Sequence, residues 1–364
     1  MVLFCSEGVM EKIKVVEFYA GIGGVHHALQ ASALPFDVVA AYEINEAANR
    51  VYRHNFPGTP LHNRNICGIT VDELASLRAD LWTMSPPCQP FTRQGYQRDL
   101  ADRRTDSFSH LLSLLESLDS LPQFILLENV QGFETSQTHH QLLRILRRRR
   151  YALIRRFLLT PVQFGVPNSR SRFYLLAVHD GANAQSSRST DTATDSAEPL
   201  LCTDAHSLIG CAESGRPISD YLDTTDCSAL LLSDAVLARH AHVLDIVTPH
   251  SMRSCCFTRA YAAYAKGTGS VLYSGDADAL AEAYRAWYKC SSDAQRSQSL
   301  RPLKLRYFSV RELARLMGFP DARFDWPADV SRQQLYRMLG NSVNVTVVSK
   351  LIDAVLGAYC KDSC

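Results

Sequence analysis

From Ile13 to Val178 the chain alternates short apolar runs with segments whose apolar residues recur at helical spacing, and this restricts it to a largely parallel sheet flanked by helices. Strands are predicted over residues 13–19, 37–42, 79–84, 124–127, 151–159 and 172–178, and helices over 24–33, 46–54 and 108–118. A sheet of six or seven strands needs a full-sized core, which 364 residues at 46% hydrophobic content can bury. Residues 13–180 therefore read as one α/β domain. Residues 181–199, rich in Ser, Thr, Ala and Asp without periodicity, read as a low-complexity mobile loop. Residues 200–300 carry weaker signals and read as a small irregular module. Residues 301–360 return to complete the first domain, with a capping-box pattern at Ser309 and Glu312 and an apolar end helix over 343–356.

Composition narrows the setting. No apolar stretch approaches the roughly 20 residues of a membrane span, so no membrane partner is expected. Residues 1–14 lack the basic region and long apolar run of a secretory leader. The 11 cysteines are scattered, odd in number, and include adjacent Cys255 and Cys256, a usage that fits a reducing compartment. A cytoplasmic protein, with the nucleus as a second location, is the expectation. There is no Cys-x-x-Cys pair, and no metal site is expected. A formal net charge of +1 argues against indiscriminate nucleic-acid binding and leaves local basic patches, such as Arg147 to Arg150 with Arg155 and Arg156.

Chemistry gathers where predicted strands end. In Ser85-Pro86-Pro87-Cys88-Gln89-Pro90-Phe91-Thr92 three prolines restrict the backbone that presents the Cys88 sulfur, an address for a nucleophile. Glu17 to Gly24 ends a strand in a glycine-rich turn that opens onto a helix, as a nucleoside ligand requires. Glu43, at the end of the second strand, suits the two hydroxyls of an unphosphorylated ribose. Glu128 follows the strand over 124–127. Arg170 and Arg172 stand at alternate positions of an extended segment, which places both on one face, ready for an anionic group. Gly340-Asn341-Ser342-Val343 stands before the last helix.

Taken in order, Phe18 to Gly24, Pro86-Pro87-Cys88-Gln89, Glu128-Asn129-Val130, Arg170-Ser171-Arg172 and Gly340-Asn341-Ser342-Val343 resemble the motif set of cytosine-C5 methyltransferases. The resemblance runs from Val15 to nearly the last residue. Pro90 to Gly95, Gln131 to Glu134, Pro167 to Arg170, and Cys256-Phe257-Thr258 followed by Gly267 to Leu272 are similar to the eukaryotic branch that methylates tRNA.

That resemblance implies an α/β fold: a Rossmann-like S-adenosylmethionine-dependent methyltransferase with a mostly parallel sheet and a small target-recognition module. It implies that Cys88 adds to C6 of the target cytosine, that Glu128 binds and protonates the base, and that Arg172 orients it with support from Arg170. For S-adenosylmethionine it implies contacts from Phe18, Ala20, Gly21, Ile22, Gly23, Gly24, Glu43, Ile44, Pro86, Asn341 and Val343. Asn65 and Ile66 stand where many relatives hold an acid near the adenine. Gln89, Thr92, Cys256 and Thr258 are implied substrate contacts, and the stretch 253–266 with Tyr261 and Tyr264 offers stacking to RNA. Relatives usually have glycines around the first of these tyrosines; this chain has Ala260 and Ala262. The implied partner is tRNA, with cytosine 38 of the tRNA-Asp anticodon loop as target. Duplex DNA is the weaker alternative, since extrusion from a loop costs less than from a duplex. A catalytically silent regulator that binds cofactor or nucleic acid is the other.

Overall fold

The structure, a computed structural model, describes residues 12–87, 105–179, 199–205, 214–224 and 227–357. Cys88, Gln89, Thr92 and the 181–198 stretch lie outside these described residues. The chain divides into two compact units.

The first unit holds an eight-stranded sheet built from β1 (Ile13–Phe18), β2 (Phe36–Tyr42), β3 (Leu61–His62), β4 (Leu81–Met84), β5 (Phe124–Val130), β6 (Tyr151–Leu159), β7 (Arg172–His179) and β8 (Leu201–Cys202). Their order is β3-β2-β1-β4-β5-β7-β6-β8, and only the pairings made by β7 are antiparallel. The six strands read from the sequence are all present. The two missed are two-residue edge strands, too short to show any period.

Central strands are largely apolar because helices cover both faces of a parallel sheet. Leu81 to Met84 and Phe124 to Leu127 are buried without a break. Helices α1 (Gly24–Ala31), α2 (Glu46–Asn55), α3 (Val71–Leu77), α4 (Asp106–Ser117) and α5 (Gln137–Arg148) flank the sheet. Phe108, Leu111 and Leu115 of α4 and Leu142 and Leu146 of α5 share one core with Trp82, Leu127 and Phe173 of the strands. Start signals for α2 and α5 are local: Asn45 Oδ1 accepts from the Ala47 and Ala48 N–H groups, and Ser136 Oγ from His139 N–H. Two members of the arginine run at the end of α5, and Arg156 on β6, are engaged at home. Arg148 pairs with Glu116, Arg149 donates to Leu118 O, and Arg156 donates to Pro199 O.

Residues 160–170 and 212–344 form the second unit, larger than the 200–300 module read from the sequence. It contains α6 (Asp234–Arg239), β9 (Asp245–Val247), β10 (Ser270–Leu272), α7 (Ala277–Lys289), α8 (Asp293–Leu300), α9 (Val310–Leu316) and α10 (Arg332–Asn341). Residues 301–344 belong here because Phe257 and Tyr261 pack edge-on against Phe308 and Tyr336. The capping box at Ser309 and Glu312 forms as expected and starts α9.

The last helix, α11 (Val345–Leu351), returns to the first unit and packs on α1, where Asp353 Oδ1 accepts from Ala33 N–H at 2.8 Å. It starts two residues later than expected. By length and mean hydropathy alone, 1.2, the stretch 332–357 passes the test for a membrane span. Ser342 to Asn344 interrupt it, and 67% of its most apolar window is buried in the protein, as in core helices.

Candidate active site at the carboxyl edge of the sheet

Strand β1 lies between β2 and β4, so successive strands leave it in opposite directions. At such a switch point the loops after the carboxyl ends part and leave a crevice where nucleotides bind. Register aligns those ends: Phe18 lies opposite both Tyr42 and Met84, and Met84 opposite Leu127. The glycine turn, Glu43, Pro86-Pro87 and Glu128 therefore line one edge of one sheet.

At the turn, Gly21 and Gly23 have φ of +56° and +85°, in the region that favours glycine. A Cβ on Gly23 would lie 2.5 Å from the Phe56 ring. One on Gly21 would meet nothing nearer than Tyr19 O at 4.0 Å, so the turn is open there. Glu43 bridges the turn and α2, its Oε2 accepting from Gly21 N–H at 2.9 Å and its Oε1 from Asn45 N–H at 2.8 Å. Each carboxylate oxygen keeps a second lone pair for a ribose hydroxyl. Ile44, next to it, is 63% exposed and offers an apolar surface. An open glycine turn, a fixed carboxylate and an exposed aliphatic face fit the nucleoside of S-adenosylmethionine. Asn65 is occupied differently, its Oδ1 accepting from Cys67 N–H at 3.0 Å to cap a short turn, and Ile66 is buried.

Phe18 requires a correction. Its ring is 2% exposed, stacked on Tyr42 at 5.6 Å and edge-on to Trp82 at 5.1 Å, so it is core. The last residue of a strand covered on both faces goes inside. The aromatic at the turn is Tyr19, with φ of +59° and its hydroxyl 2.9 Å from Ser107 Oγ. Sequence reasoning missed it, although it stands one residue nearer the glycines.

Beneath the turn lies a buried polar layer. Glu17 accepts from Tyr52 OH at 2.6 Å, and that hydroxyl lies 2.8 Å from His26 Nδ1. Burial pushes the Glu17 carboxyl up to about 7 and the His26 imidazole down to about 3.

At the other end of the edge, Glu128 and Arg172 meet diagonally across the antiparallel β5 and β7 pair, with Oε1 and Nε 3.4 Å apart and both side chains largely buried. Asn129 Nδ2 donates to Pro86 O at 3.3 Å. That bond ties the end of β5 to the segment that leads directly into Cys88.

Arg170 parts from Arg172. Strand β7 begins only at Arg172, so alternation along a strand does not extend to Arg170. Its guanidinium is buried in the second unit, where Nη1 donates to Phe257 O at 3.0 Å and Nη2 donates to Gly340 O at 3.1 Å and Ser342 O at 2.7 Å. Arg170 is a clamp on three backbone carbonyls and not a phosphate ligand.

Cys256 Sγ lies 3.5 Å from Arg170 Nη1, and Thr258 N–H donates to Thr268 O. Asn341 is exposed at the end of α10, while Val343 is buried. Neither stands at the start of the last helix. Asn344, which the sequence did not flag, is fully buried and donates to Leu316 O at 3.1 Å.

A family profile described as C-5 cytosine-specific DNA methylase matches residues 13–357. Human tRNA (cytosine(38)-C(5))-methyltransferase is 39% identical over 94% of this chain and 99% of its own length. The enzyme of the same name from Schizosaccharomyces pombe is 38% identical over 95% and 97%. Among solved structures, a mutant of Spodoptera frugiperda DNMT2 superposes with a TM-score of 0.82 at 37% identity, covering 95% of this chain and 100% of that one. The chain belongs to the C-5 cytosine methyltransferase family and is an S-adenosylmethionine-dependent methyltransferase.

Proposed function

We propose that this chain methylates C5 of cytosine in RNA, with cytosine 38 of tRNA-Asp as the target. Identity over nearly the full length of tRNA-methylating relatives carries the choice of RNA over DNA. Extrusion of an unpaired loop base also avoids the unpairing cost of a duplex.

Cytosine C5 is a weak nucleophile. In this reading the Cys88 thiolate adds to C6, and the electron pair displaced from the 5,6 double bond makes C5 enamine-like. Glu128 accepts from the exocyclic amine and delivers a proton at N3, so negative charge does not build on the ring. Arg172, 3.4 Å from that carboxylate, keeps it in place and orients the base. The Asn129 bond to Pro86 O holds the residues that precede Cys88 in the chain at the end of β5, next to Glu128. Bound S-adenosylmethionine supplies the methyl group, held by Glu43 at the ribose, Ile44 and Tyr19 at its flat and apolar parts, and the open side of Gly21. A solvent base then takes the C5 proton, N3 returns its proton to Glu128, and the Cys88 thiolate leaves as the aromatic ring is restored.

The test is parallel kinetics with labelled S-adenosylmethionine on tRNA-Asp transcript, native tRNA-Asp and duplex DNA at matched low salt. Transfer to tRNA far faster than to DNA is expected. Comparable specificity constants on DNA would refute the RNA assignment. Cys88→Ala is expected to abolish transfer with cofactor affinity unchanged, and Glu128→Gln to slow it about a hundredfold.

A further inference from the structure

Residues 258–269 of the second unit form a loop held by its own hydrogen bonds. Thr258 N–H donates to Thr268 O at 2.9 Å, Thr268 Oγ1 to Tyr264 O at 2.6 Å, and the N–H groups of Ala263 and Tyr264 to Ala260 O at 3.0 Å. Its base lies on α10 so closely that a Cβ on Gly340 would stand 2.3 Å from Arg259 N. Inside the loop, Tyr261 is 1% exposed. Its hydroxyl donates to Ser270 O at 2.8 Å and accepts from Phe308 N–H at 2.9 Å. That removes Tyr261 from any contact with RNA. Three residues on, Tyr264 is 70% exposed, and Arg259 and Lys266, on either side in the loop, are exposed as well.

A large exposed aromatic on a rigid frame is ready to bind, since little conformational freedom remains to be lost on contact. Charge indicates what it meets. From Ser251 to Gly275 the sequence contains Arg253, Arg259 and Lys266 and neither Asp nor Glu. Cations beside an aromatic face match a single nucleotide strand, whose phosphates attract the cations and whose bases stack.

We infer that Tyr264 stacks on an unpaired base of the RNA substrate while Arg259 and Lys266 take the neighbouring phosphates. This rests on the RNA reading above and names the surface that serves it. Tyr264 positions the substrate and takes no part in bond making.

The full chain with tRNA-Asp transcript provides the test. Tyr264→Ala should weaken RNA binding between about fivefold and a hundredfold, and Tyr264→Phe should restore most of it, since the ring does the stacking. The loss should fall on KM with kcat and S-adenosylmethionine affinity little changed. Lys266→Ala should lower the slope of log affinity against log salt by about 0.7 to 0.9, whereas Tyr264→Ala should leave that slope alone. If wild type methylates tRNA and Tyr264→Ala binds and turns over as wild type does, the stacking role is overturned and the RNA reading stands. If wild type transfers methyl only to duplex DNA, the RNA reading fails first and the stacking role with it.

Discussion

The turn at residues 19–24 and the loop at 256–270 both bend on glycines with positive φ, yet the two use glycine for opposite reasons. At Gly21 the absent side chain leaves open space, the nearest atom to where a Cβ would stand being Tyr19 O at 4.0 Å. At Gly269 the space is full: a Cβ would lie 2.5 Å from the Phe257 ring and 2.8 Å from that of Tyr261. Their foundations differ too. The first rests on the buried polar layer of Glu17, Tyr52 and His26; the second rests on Phe257, Tyr261, Phe308 and Tyr336, packed edge to face. A glycine facing space makes room for a ligand, and one facing a ring makes room for the protein itself.

The sharpest way to break this contrast is through two arginines, Arg170 at the base of the loop and Arg172 at the far end of the sheet edge that carries the turn. Arg170→Ala strips the donor from the carbonyls of Phe257, Gly340 and Ser342 and is expected to destabilise the protein by about 3–5 kcal/mol, read from denaturant midpoints. Arg172→Ala loses one longer contact to Glu128 and should cost less, about 1–3 kcal/mol, yet slow methyl transfer about a hundredfold or more. Equal stability losses from the two would erase the distinction between clamp and site residue.

The glycines follow with smaller effects. Gly269→Ala combines overpacking with an unfavourable φ of +147° and is expected to cost about 2–4 kcal/mol, with S-adenosylmethionine affinity unchanged in the folded fraction. Gly21→Ala should cost about 1–2 kcal/mol, the strain of a left-handed alanine. Its main effect should be on cofactor affinity, lowered about tenfold by a methyl group in the ligand's space. Calorimetric titration beside thermal melts separates the two, and a Gly21→Ala protein that binds cofactor as wild type does would show that the open side faces no ligand.

Much of this is legible in the sequence because period and punctuation act locally. The strand and helix alternation, the glycine turn, Glu43 at a strand end and the capping box at Ser309 all depend on a few neighbouring residues. What the sequence hides depends on burial by distant parts of the chain. Phe18 and Tyr19 are adjacent aromatics where a strand covered on both faces ends, so alternation cannot say which one leaves the core. Arg170 looks like a partner of Arg172 because the start of β7 between them leaves no mark in the residues. Tyr261 and Tyr264 lie three apart in one loop, and only the packing of Phe308 and Tyr336 separates a buried ring from an exposed one. The two edge strands β3 and β8 hold two residues each and carry no pattern at all.

The gentlest probe of the contrast is pH, because only the turn stands on ionisable groups shifted into the working range. Glu17 has its carboxyl raised from 4.5 to about 7 by burial, so the folded state holds a proton that the unfolded chain releases between those values. Its contribution is fully present below pH 4.5 and is lost as pH rises to about 7, with a slope of at most about 1.4 kcal/mol per pH unit. His26 acts the other way. Its imidazole is lowered from 6.5 to about 3, so its neutral burial is favourable above pH 6.5 and is lost as pH falls towards 3. Between pH 4.5 and 6.5 the two slopes oppose each other. Glu17→Gln removes one of them. Its stability relative to wild type should therefore rise steadily from pH 4.5 to about 7 and level off above, measured as the difference in denaturant midpoint at each pH. A difference that stays constant across that range would mean that Glu17 keeps an ordinary carboxyl in the folded protein, and that the layer beneath the turn is no more pH-sensitive than the aromatic rings beneath the loop.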